Sequence, residues 1–447
     1  MRPVPAPKTF RVKSFGCQMN VYDGERMAEL LAAQGIAPAA EGAEADLVVL
    51  NTCHIREKAA EKVYSDIGRL AKAGHQAGRA PLIAVAGCVA QAEGEEIMAR
   101  APAVSMVVGP QAYHRLPAML EEAVAGRRAC DTDMPPIAKF AALPPRQKRS
   151  PTAFLSVQEG CDKFCTYCVV PYTRGAEISR PFADLIAEAR RLVDQGAREI
   201  TLLGQNVNAW RGDDGAGREC GLDGVIRELA KIPELQRIRY TTSHPNDFTA
   251  ALLRCHAEVD KLMPFLHVPV QSGSDRVLKA MNRSHSVDSY LRLLDAVRAA
   301  RPDIALSGDF IVGFPGESEA DFADTLRLVD AVGYAQAFSF KYSPRPGTPA
   351  ASMAGAVPAG VMDERLQRLQ AALGRDQLAF NAASLGKRCT VLVERAGKKP
   401  GQWLGKSPWL QSVWFEGDHA IGDLVEVELA AAGPNSLEGR VAALAPA

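Results

Sequence analysis

The sequence predicts an α/β protein with three folded parts: an N-terminal doubly wound parallel sheet, a central partial barrel of six βα units, and a small C-terminal β-barrel. Two patterns carry this prediction. Residues 8–125 and 153–378 alternate short apolar or β-branched runs with helical segments, which is typical of parallel sheets. Residues 379–445 instead hold short alternating strands broken by Gly, Pro and Asn, which indicates a small β-barrel.

The composition is that of a globular protein without a dominant charge. Of the 447 residues, 47% are apolar and 23% are charged, which excludes a largely disordered chain. The 52 basic and 52 acidic residues cancel, so any contact with nucleic acid must rest on a local patch. Because we find no leader with an apolar core and no apolar run of about 18 residues, we expect a cytoplasmic protein without membrane contact.

The N-terminal part has a cysteine after each of three predicted strands. Cys17 follows TFRVKSFG, Cys53 follows ADLVVLNT, and Cys88 follows PLIAVAG. The carboxyl ends of parallel strands lie at one edge of a sheet, where ligands bind, so we expect the three thiols to converge there. One such cysteine would more often be a buried core residue, but three at equivalent positions favour a metal-cluster site.

A second set of three cysteines is close together in the sequence. Cys161, Cys165 and Cys168 form CxxxCxxC in the loop after the first strand of the predicted barrel, where barrels of this type place their chemistry. Three thiolates that hold a four-iron cluster leave one iron open for a ligand. With Tyr167 before the last cysteine, the motif resembles that of the radical SAM superfamily. The alternative is a structural zinc site with a distant fourth ligand such as Cys220.

The segment 126–152 is expected to be a linker, because its second part is rich in proline and proline keeps a chain extended. Its basic residues Arg146, Lys148 and Arg149 are either solvated or an RNA contact. In the C-terminal barrel, basic residues interleave with tryptophans, a combination that suits phosphate contact and base stacking. The candidates for RNA binding there are Lys398, Lys399, Trp403, Lys406 and Trp409. The alternative is that the tryptophans fill the barrel core.

These three parts, in this order, resemble the methylthiotransferase family of radical SAM enzymes, whose C-terminal barrel is a TRAM domain. The motifs that are similar to the tRNA branch, the MiaB type, are FGCQMN at 15–20, NTCHIREKAAEKVYSDIGR at 51–69, CTYCVVPYTRGAEISRP at 165–181, LLGQNVNAW at 202–210, TTSHP at 241–245 and PVQSGSDRVLKAMNR at 269–283. The resemblance implies an enzyme that converts N6-dimethylallyladenosine at position 37, next to the tRNA anticodon, to its 2-methylthio form.

The resemblance also implies the cofactors. One 4Fe-4S cluster would be held by Cys161, Cys165 and Cys168 and would bind S-adenosylmethionine (SAM), whose reductive cleavage supplies the radical that attacks an unactivated C–H bond. An auxiliary 4Fe-4S cluster on Cys17, Cys53 and Cys88 would carry the sulfur. Beyond these six cysteines, the sequence offers no catalytic residue. The implied partners are the tRNA, an electron donor such as flavodoxin or ferredoxin, and a sulfur source, and we expect a monomer.

Further contacts are assigned from their positions. The candidates for SAM binding lie at strand ends: Gly204, Gln205, Ser243, Gln271 and Gly313. Gly204-Gln205-Asn206 departs from the GGE sequence that many radical SAM enzymes have at this place, and each candidate could instead only shape a turn. Arg174 and Arg180 flank the cluster loop and are expected either to face phosphates or to form surface salt bridges.

Three alternatives stay open at this point. The first is a tRNA methylthiotransferase that acts on threonylcarbamoyladenosine, which differs only in the pocket for the N6 group. The second is methylthiolation of an aspartate in a ribosomal protein, against which the QMN sequence at 18–20 and the basic barrel argue. The third is no enzyme but an RNA-binding adaptor with an iron–sulfur or zinc site.

Overall fold

The computed structural model describes residues 3–54, 57–76, 78, 80–134, 138–147, 149–433 and 435–442. Lys148 of the predicted basic segment and residues 55–56 of the second motif lie outside them. The chain divides into two compact units. Unit 1 comprises residues 1–148, 159–162 and 168–178, and unit 2 comprises 149–158, 163–167 and 179–447.

Unit 1 is built on one parallel sheet of six strands. The strands are β1 (Thr9–Ser14), β2 (Ala37–Pro38), β3 (Leu47–Thr52), β4 (Leu82–Gly87), β5 (Val104–Val108) and β6 (Ala129–Asp131). Their order across the sheet is β2-β1-β3-β4-β5-β6. The helices are α1 (Gln18–Ala33), α2 (Glu57–Gln76), α3 (Cys88–Glu93), α4 (Glu95–Arg100), α5 (Leu116–Val124), α6 (Ala138–Ala142) and α7 (Val170–Arg174).

The burial of the central strands explains this arrangement. All six residues of β3 and all six of β4 are buried, as expected for parallel strands that are covered on both faces. Val49 and Ala84 belong to one apolar cluster, and their neighbours Val48 and Val85 belong to another, so a separate core lies on each side of the sheet. The predicted doubly wound sheet is confirmed.

The structure differs from the prediction in the segment 126–152. β6 pairs with β5 and extends the sheet, so this segment is partly folded into unit 1. Arg146 is buried, and its guanidinium bonds to Glu25 at 2.6 Å and to Glu29 at 3.2 Å, both on α1. These two carboxylates are the physical reason why Arg146 is neither solvated nor exposed to RNA. Arg149 is exposed.

Unit 2 contains the six barrel strands in two three-stranded parallel sheets. The first sheet has the order β13-β10-β7 and the second β14-β15-β16. The strands are β7 (Thr152–Ser156), β10 (Glu199–Leu203), β13 (Arg237–Tyr240), β14 (Phe265–His267), β15 (Ala305–Val312) and β16 (Gln336–Lys341). The short strands β8 (Gln158–Glu159) and β9 (Ile178–Ser179) pair with each other, as do β11 (Arg211–Asp213) and β12 (Glu219–Gly221).

Helices cover the strands through one continuous apolar core that includes Leu185, Leu202, Ile238, Tyr290 and Phe310. The helices are α8 (Phe182–Asp194), α9 (Leu222–Ala230), α10 (Ala250–Glu258), α11 (Asp275–Ala280), α12 (Val287–Ala300), α13 (Glu319–Val332) and α14 (Ala359–Ala382). The predicted alternation of strand and helix in the central part is confirmed. No helix in the described part of the chain is long and apolar enough to cross a membrane.

The C-terminal part is a closed five-stranded barrel, as predicted. Its strands, in the order β17-β18-β19-β21-β20, are β17 (Arg388–Ala396), β18 (Gln402–Lys406), β19 (Ser412–Glu416), β20 (Leu424–Ala432) and β21 (Leu437–Val441). Two buried arginines of β13 fix this barrel within unit 2. Arg237 donates to the carbonyl oxygens of Thr390 and Lys406, and Arg239 donates to those of Ser407 and Pro408.

Candidate functional site

The three cysteines of unit 1 lie at the carboxyl ends of three adjacent strands. Cys17 follows β1 and caps α1, Cys53 follows β3, and Cys88 is the first residue of α3 after β4. Since β1 lies between β2 and β3, the direction of winding changes at β1, which is where open α/β sheets bind their ligands. Three thiols therefore occupy the ligand-binding edge of this sheet.

A buried polar network connects the three cysteine loops. The Asn20 Nδ2 donates to the carbonyl oxygen of Phe15 at 2.8 Å and to that of Thr52 at 2.7 Å. The Asn51 Nδ2 donates to the Asn20 carbonyl oxygen at 2.6 Å, and the Thr52 hydroxyl donates to the Ala86 carbonyl oxygen at 2.6 Å. Each loop is thus held by the next. Removal of one such side chain leaves buried groups unpaired at a cost of about 1–3 kcal/mol each.

Two glycines allow the cysteine loops to approach one another closely. Gly16 has a φ of 96°, and a Cβ atom there would lie 2.6 Å from the Cys53 Sγ. Gly87 has a φ of 89°, and a Cβ atom there would lie 2.6 Å from the Asn51 Oδ1. Both positions require a left-handed backbone and a close approach, which only glycine accepts without strain.

The pKa values of the Cys17 and Cys88 thiols are shifted in opposite directions. A hydrogen bond with Cys53 lowers the pKa of the Cys17 thiol, which favours its thiolate form. Burial raises the pKa of Cys88, and the nearby guanidinium of Arg174 opposes this shift. Thiolates are the form that binds iron. The donor set of three thiols at one sheet edge therefore fits an iron–sulfur cluster.

The described residues contain no group of three or more His, Cys, Asp and Glu side chains arranged around one metal ion. A four-iron cluster differs from a single ion in this respect, because each of its thiolate ligands binds a different iron.

The cysteines of CxxxCxxC follow β7 and β8 in the sequence, and each is described within its own unit. Cys161 and Cys168 belong to unit 1, where the amide of Cys161 donates to the Gly175 carbonyl oxygen at 3.3 Å. The amide of Val170 donates to the Cys168 Sγ at 3.5 Å. Amide and guanidinium donors at the sulfurs stabilise thiolates and tune a bound cluster.

Cys165 is buried in unit 2 and is held from the segment after α11. The Arg283 guanidinium donates to the Cys165 Sγ at 3.7 Å. The neighbouring Phe164 has a φ of 48°, and its carbonyl oxygen accepts a hydrogen bond from the Asn282 Nδ2 at 3.0 Å. Neither Asn282 nor Arg283 is among the residues predicted from the sequence, although both lie in the motif at 269–283.

Two of the predicted SAM-binding residues, Gly204 and Gln205, form a tight turn after β10. A Cβ atom at Gly204 would lie 2.5 Å from the Gln158 Oε1. That same oxygen accepts hydrogen bonds from the amides of Gln205 at 2.9 Å and Asn206 at 3.1 Å. Gly204 therefore shapes this turn, and the backbone of Gln205 is fixed by Gln158.

The other three predicted SAM-binding residues also lie after strands of unit 2. Ser243 is buried, and its hydroxyl has no hydrogen-bond partner among the described residues, so it is available to a ligand. Gln271 is buried with a φ of 79°, and its amide donates to the Asp309 carbonyl oxygen. Gly313 has a φ of 74°, and its amide donates to the Glu317 carboxylate at 3.1 Å, which indicates a turn.

The structure differs from the prediction for Arg174 and Arg180, since neither side chain faces solvent. Arg174 is buried in unit 1, where its guanidinium pairs with Asp23 at 2.6 Å. Arg180 is buried in unit 2 and pairs with Glu188 at 2.7 Å. Both arginines form buried ion pairs rather than phosphate contacts or surface salt bridges, because a carboxylate lies within reach of each inside its own unit.

Of the five barrel residues predicted to bind RNA, two are exposed and three are half-buried. Lys398 and Lys399 are exposed in the turn between β17 and β18. The indoles of Trp403 and Trp409 pack partly against the barrel core and donate to the carbonyl oxygens of Gly417 and Asp303, both at 2.9 Å. The half-buried Lys406 donates to the Ser412 hydroxyl at 2.7 Å. The tryptophans thus contribute in part to the barrel core, and of the three candidate lysines Lys398 and Lys399 are exposed.

Three stretches of the chain match known families. Residues 9–109 match the uncharacterized protein family UPF0004, residues 155–329 match the radical SAM superfamily, and residues 383–442 match the TRAM domain. The likeness to solved structures shows the fold alone. The radical SAM methyltransferase TsrM from Kitasatospora setae has a TM-score of 0.55 and 13% identity, covering 77% of this chain and 76% of that one. The radical enzyme OxsB has a TM-score of 0.52 and 13% identity, covering 82% of this chain and 56% of that one.

Several relatives are similar over nearly the whole length. The relative from Erythrobacter litoralis is 75% identical over 99% of both chains, and that from Novosphingobium aromaticivorans is 76% identical over 98% of both. The relative from Zymomonas mobilis is 65% identical over 98% of this chain and 97% of its own. All three carry the name tRNA-2-methylthio-N6-dimethylallyladenosine synthase. The resemblance predicted from the motifs is confirmed, and the chain belongs to the family of tRNA-2-methylthio-N6-dimethylallyladenosine synthases within the radical SAM superfamily.

Proposed function

We propose that this chain is the radical SAM methylthiotransferase that adds a methylthio group to C2 of N6-dimethylallyladenosine at position 37 of tRNA. The observation that carries the proposal is the coexistence of two separate three-cysteine sets, one at the sheet edge of unit 1 and one in the CxxxCxxC motif. A reaction that forms a C–S bond at an unactivated C–H position needs both a radical source and a sulfur carrier. The two sets supply one site for each.

The residues present fit both cofactors. Cys17, Cys53 and Cys88 would hold the auxiliary 4Fe-4S cluster, and Cys161, Cys165 and Cys168 would hold the 4Fe-4S cluster that binds SAM. When bound, these groups supply the radical and the sulfur, which are chemistry that no side chain provides. The chain's own residues hold the thiolates in place, exclude water from Cys53 and Cys88, and balance the thiolate charge with nearby guanidinium groups.

For SAM we propose Ser243 as the first contact, because its buried hydroxyl at the end of the β13 region has no partner among the described residues. Gln205 and Gln271 stay candidates through their side chains, and Gly204 and Gly313 contribute by shaping the turns after β10 and β15. The reaction acts on tRNA. We further propose that flavodoxin or ferredoxin supplies electrons, that a separate sulfur source replenishes the auxiliary cluster, and that the enzyme works as a cytoplasmic monomer.

The proposal is tested by the modified nucleosides of tRNA from a strain that lacks this gene. We expect 2-methylthio-N6-dimethylallyladenosine to disappear, N6-dimethylallyladenosine to accumulate, and the wild-type gene to reverse both changes. The measurement is mass spectrometry of digested tRNA. Loss of a methylthiolated threonylcarbamoyladenosine instead would favour that substrate, and loss of a methylthio-aspartate in a ribosomal protein with normal tRNA would overturn the tRNA assignment.

The exposed cations of the barrel give a second prediction. Because Lys398 and Lys399 are exposed and Lys406 is occupied by Ser412, we expect the double variant Lys398→Ala/Lys399→Ala to weaken tRNA binding. Each phosphate contact that is lost lowers the slope of log Kd against log salt by about 0.7 to 0.9. Fluorescence anisotropy across a salt series measures it. The matched control is Lys231→Ala, an exposed lysine directly after α9 and outside the barrel, and a slope unchanged in both variants would remove the barrel turn from the interface.

A further inference from the structure

Arg174 is a buried cation that the proposed function does not use. It ends α7, six residues after Cys168, and its side chain is 3% exposed. The Nη2 atom is bound to Asp23 at 2.6 Å and donates to the Asn20 Oδ1 at 3.3 Å. The Nη1 atom is buried without a hydrogen-bond partner among the described residues, and lies 3.6 Å from the nearest oxygen of Glu159. The Nη1 atom therefore has a long ion pair with Glu159 and no short hydrogen bond within the described residues.

The Arg174 guanidinium lies close to the thiols of unit 1. The Asn20 Oδ1 that accepts from Arg174 lies 3.8 Å from the Cys17 Sγ, so one amide oxygen separates the guanidinium from a proposed ligand. Asn20 is also the centre of the network that holds the loops of Cys17 and Cys53. Arg174 is further close enough to Cys88 to interact with its sulfur. Its charge therefore lies beside the three-thiol site of unit 1.

We infer that Arg174 is a positioning residue for the auxiliary cluster, which orients its thiolate ligands through Asn20 and sets the cluster's reduction potential with its buried positive charge. The inference rests on the proposed function, because it requires a cluster on Cys17, Cys53 and Cys88. Net charge and hydrogen bonds to the sulfurs are the main protein contributions to the potential of such a cluster. A cation favours the more negative, reduced state, so loss of Arg174 makes reduction harder.

The Asp23 carboxylate binds one side of the Arg174 guanidinium. Asp23 is 1% exposed and bonds to the Nη2 atom on one side of the guanidinium. The Nη1 atom, which makes no hydrogen bond within the described residues, is on the other side. The ion pair thus anchors Arg174 without using the donor that remains. Lys139 and Gln111 bind Glu159, and its Oε1 atom forms only a longer ion pair with the Nη1 atom of Arg174, at 3.6 Å. The positive charge of Arg174 is thus paired at both ends of the guanidinium but hydrogen-bonded closely only at Nη2.

The experiment uses the full chain with Cys161, Cys165 and Cys168 changed to Ala, so that only the auxiliary cluster is measured. After anaerobic reconstitution we expect Arg174→Gln to retain iron and sulfide but to shift the midpoint potential, measured by EPR-monitored redox titration, to a more negative value. Arg174→Lys keeps the charge and is expected to remain near the unsubstituted potential. The matched control Arg146→Gln removes another buried, doubly paired arginine of unit 1 and is expected to leave the potential unchanged.

The outcomes separate the inference from the proposed function. If the triple-alanine chain holds no iron even with Arg174 in place, the auxiliary cluster itself is wrong. If it holds iron and the potential of Arg174→Gln equals that of Arg146→Gln, the inference is overturned while the cluster stands. Should Arg174→Gln fail to fold because Asp23 is left alone, the double variant Asp23→Asn/Arg174→Gln, which buries no lone charge, is titrated in its place. An unchanged potential there also overturns the inference.

Discussion

Changing Cys161, Cys165 and Cys168 together to Ala is expected to abolish the release of 5′-deoxyadenosine from SAM and to lower the iron content from about eight atoms per chain to about four. The physical reason is the independence of the two thiol sets. Cys17, Cys53 and Cys88 are fixed by strand ends and by the Asn20 network within unit 1. Loss of the CxxxCxxC thiolates removes one set of ligands and leaves that network intact.

The measurement is iron and sulfide analysis of anaerobically reconstituted protein, together with chromatography of SAM cleavage products. The matched control is Cys220→Ala, a half-buried cysteine of unit 2 that belongs to neither set and should keep all the iron and full cleavage. A triple variant that loses all of its iron, or keeps all of it, would contradict the assignment of two separate clusters.

Cys17→Ala is expected to separate the two halves of the reaction. The variant should still cleave SAM, because the CxxxCxxC ligands are unchanged, but it should form no methylthiolated tRNA, since the sulfur-carrying cluster loses a ligand. We expect product formation to fall to background, and iron to fall toward about four atoms per chain. Two assays on one preparation measure this: 5′-deoxyadenosine release, and mass spectrometry of nucleosides from the tRNA substrate.

The control for Cys17 is Cys130→Ala. Cys130 is a half-buried thiol of unit 1, on β6, and it takes no part in the edge formed by β1, β3 and β4. Its replacement should leave both SAM cleavage and product formation near the wild-type level. Wild-type amounts of product from Cys17→Ala would remove the auxiliary cluster from the mechanism and leave the three strand-end cysteines as core residues.

The positions of the strand-end cysteines could be predicted because they depend on local patterns. An apolar run such as LVVLNT at 47–52 forms a strand wherever it is covered on both faces, and in a parallel sheet its carboxyl end shares an edge with those of its neighbours. Cys53 therefore follows β3 as expected. The same reasoning located the barrel strands of unit 2 and the closed C-terminal barrel.

The errors concern polar side chains whose partners are distant in sequence. Arg174 pairs with Asp23, which is 151 positions away in the sequence, and Arg146 pairs with Glu29, which is 117 positions away. No periodicity or spacing encodes such a pair, so the basic residues looked exposed. The same limit applies to Trp409, whose indole bonds to Asp303 across 106 positions of the chain. Prolines also made the segment 126–152 look extended, although its short strand β6 joins the sheet.

The network of Asn20, Asn51 and Thr52 has a consequence for how the enzyme matures. Each of its bonds joins protein groups only, so the three cysteine loops are tied together by amides and hydroxyls and not by iron. Small zinc domains behave differently, since their apo forms are unfolded and the metal supplies the folding energy. We therefore expect the cysteine loops of unit 1 to stay folded without iron, so that protein from iron-starved cells resists proteolysis and can still accept a cluster when iron is supplied.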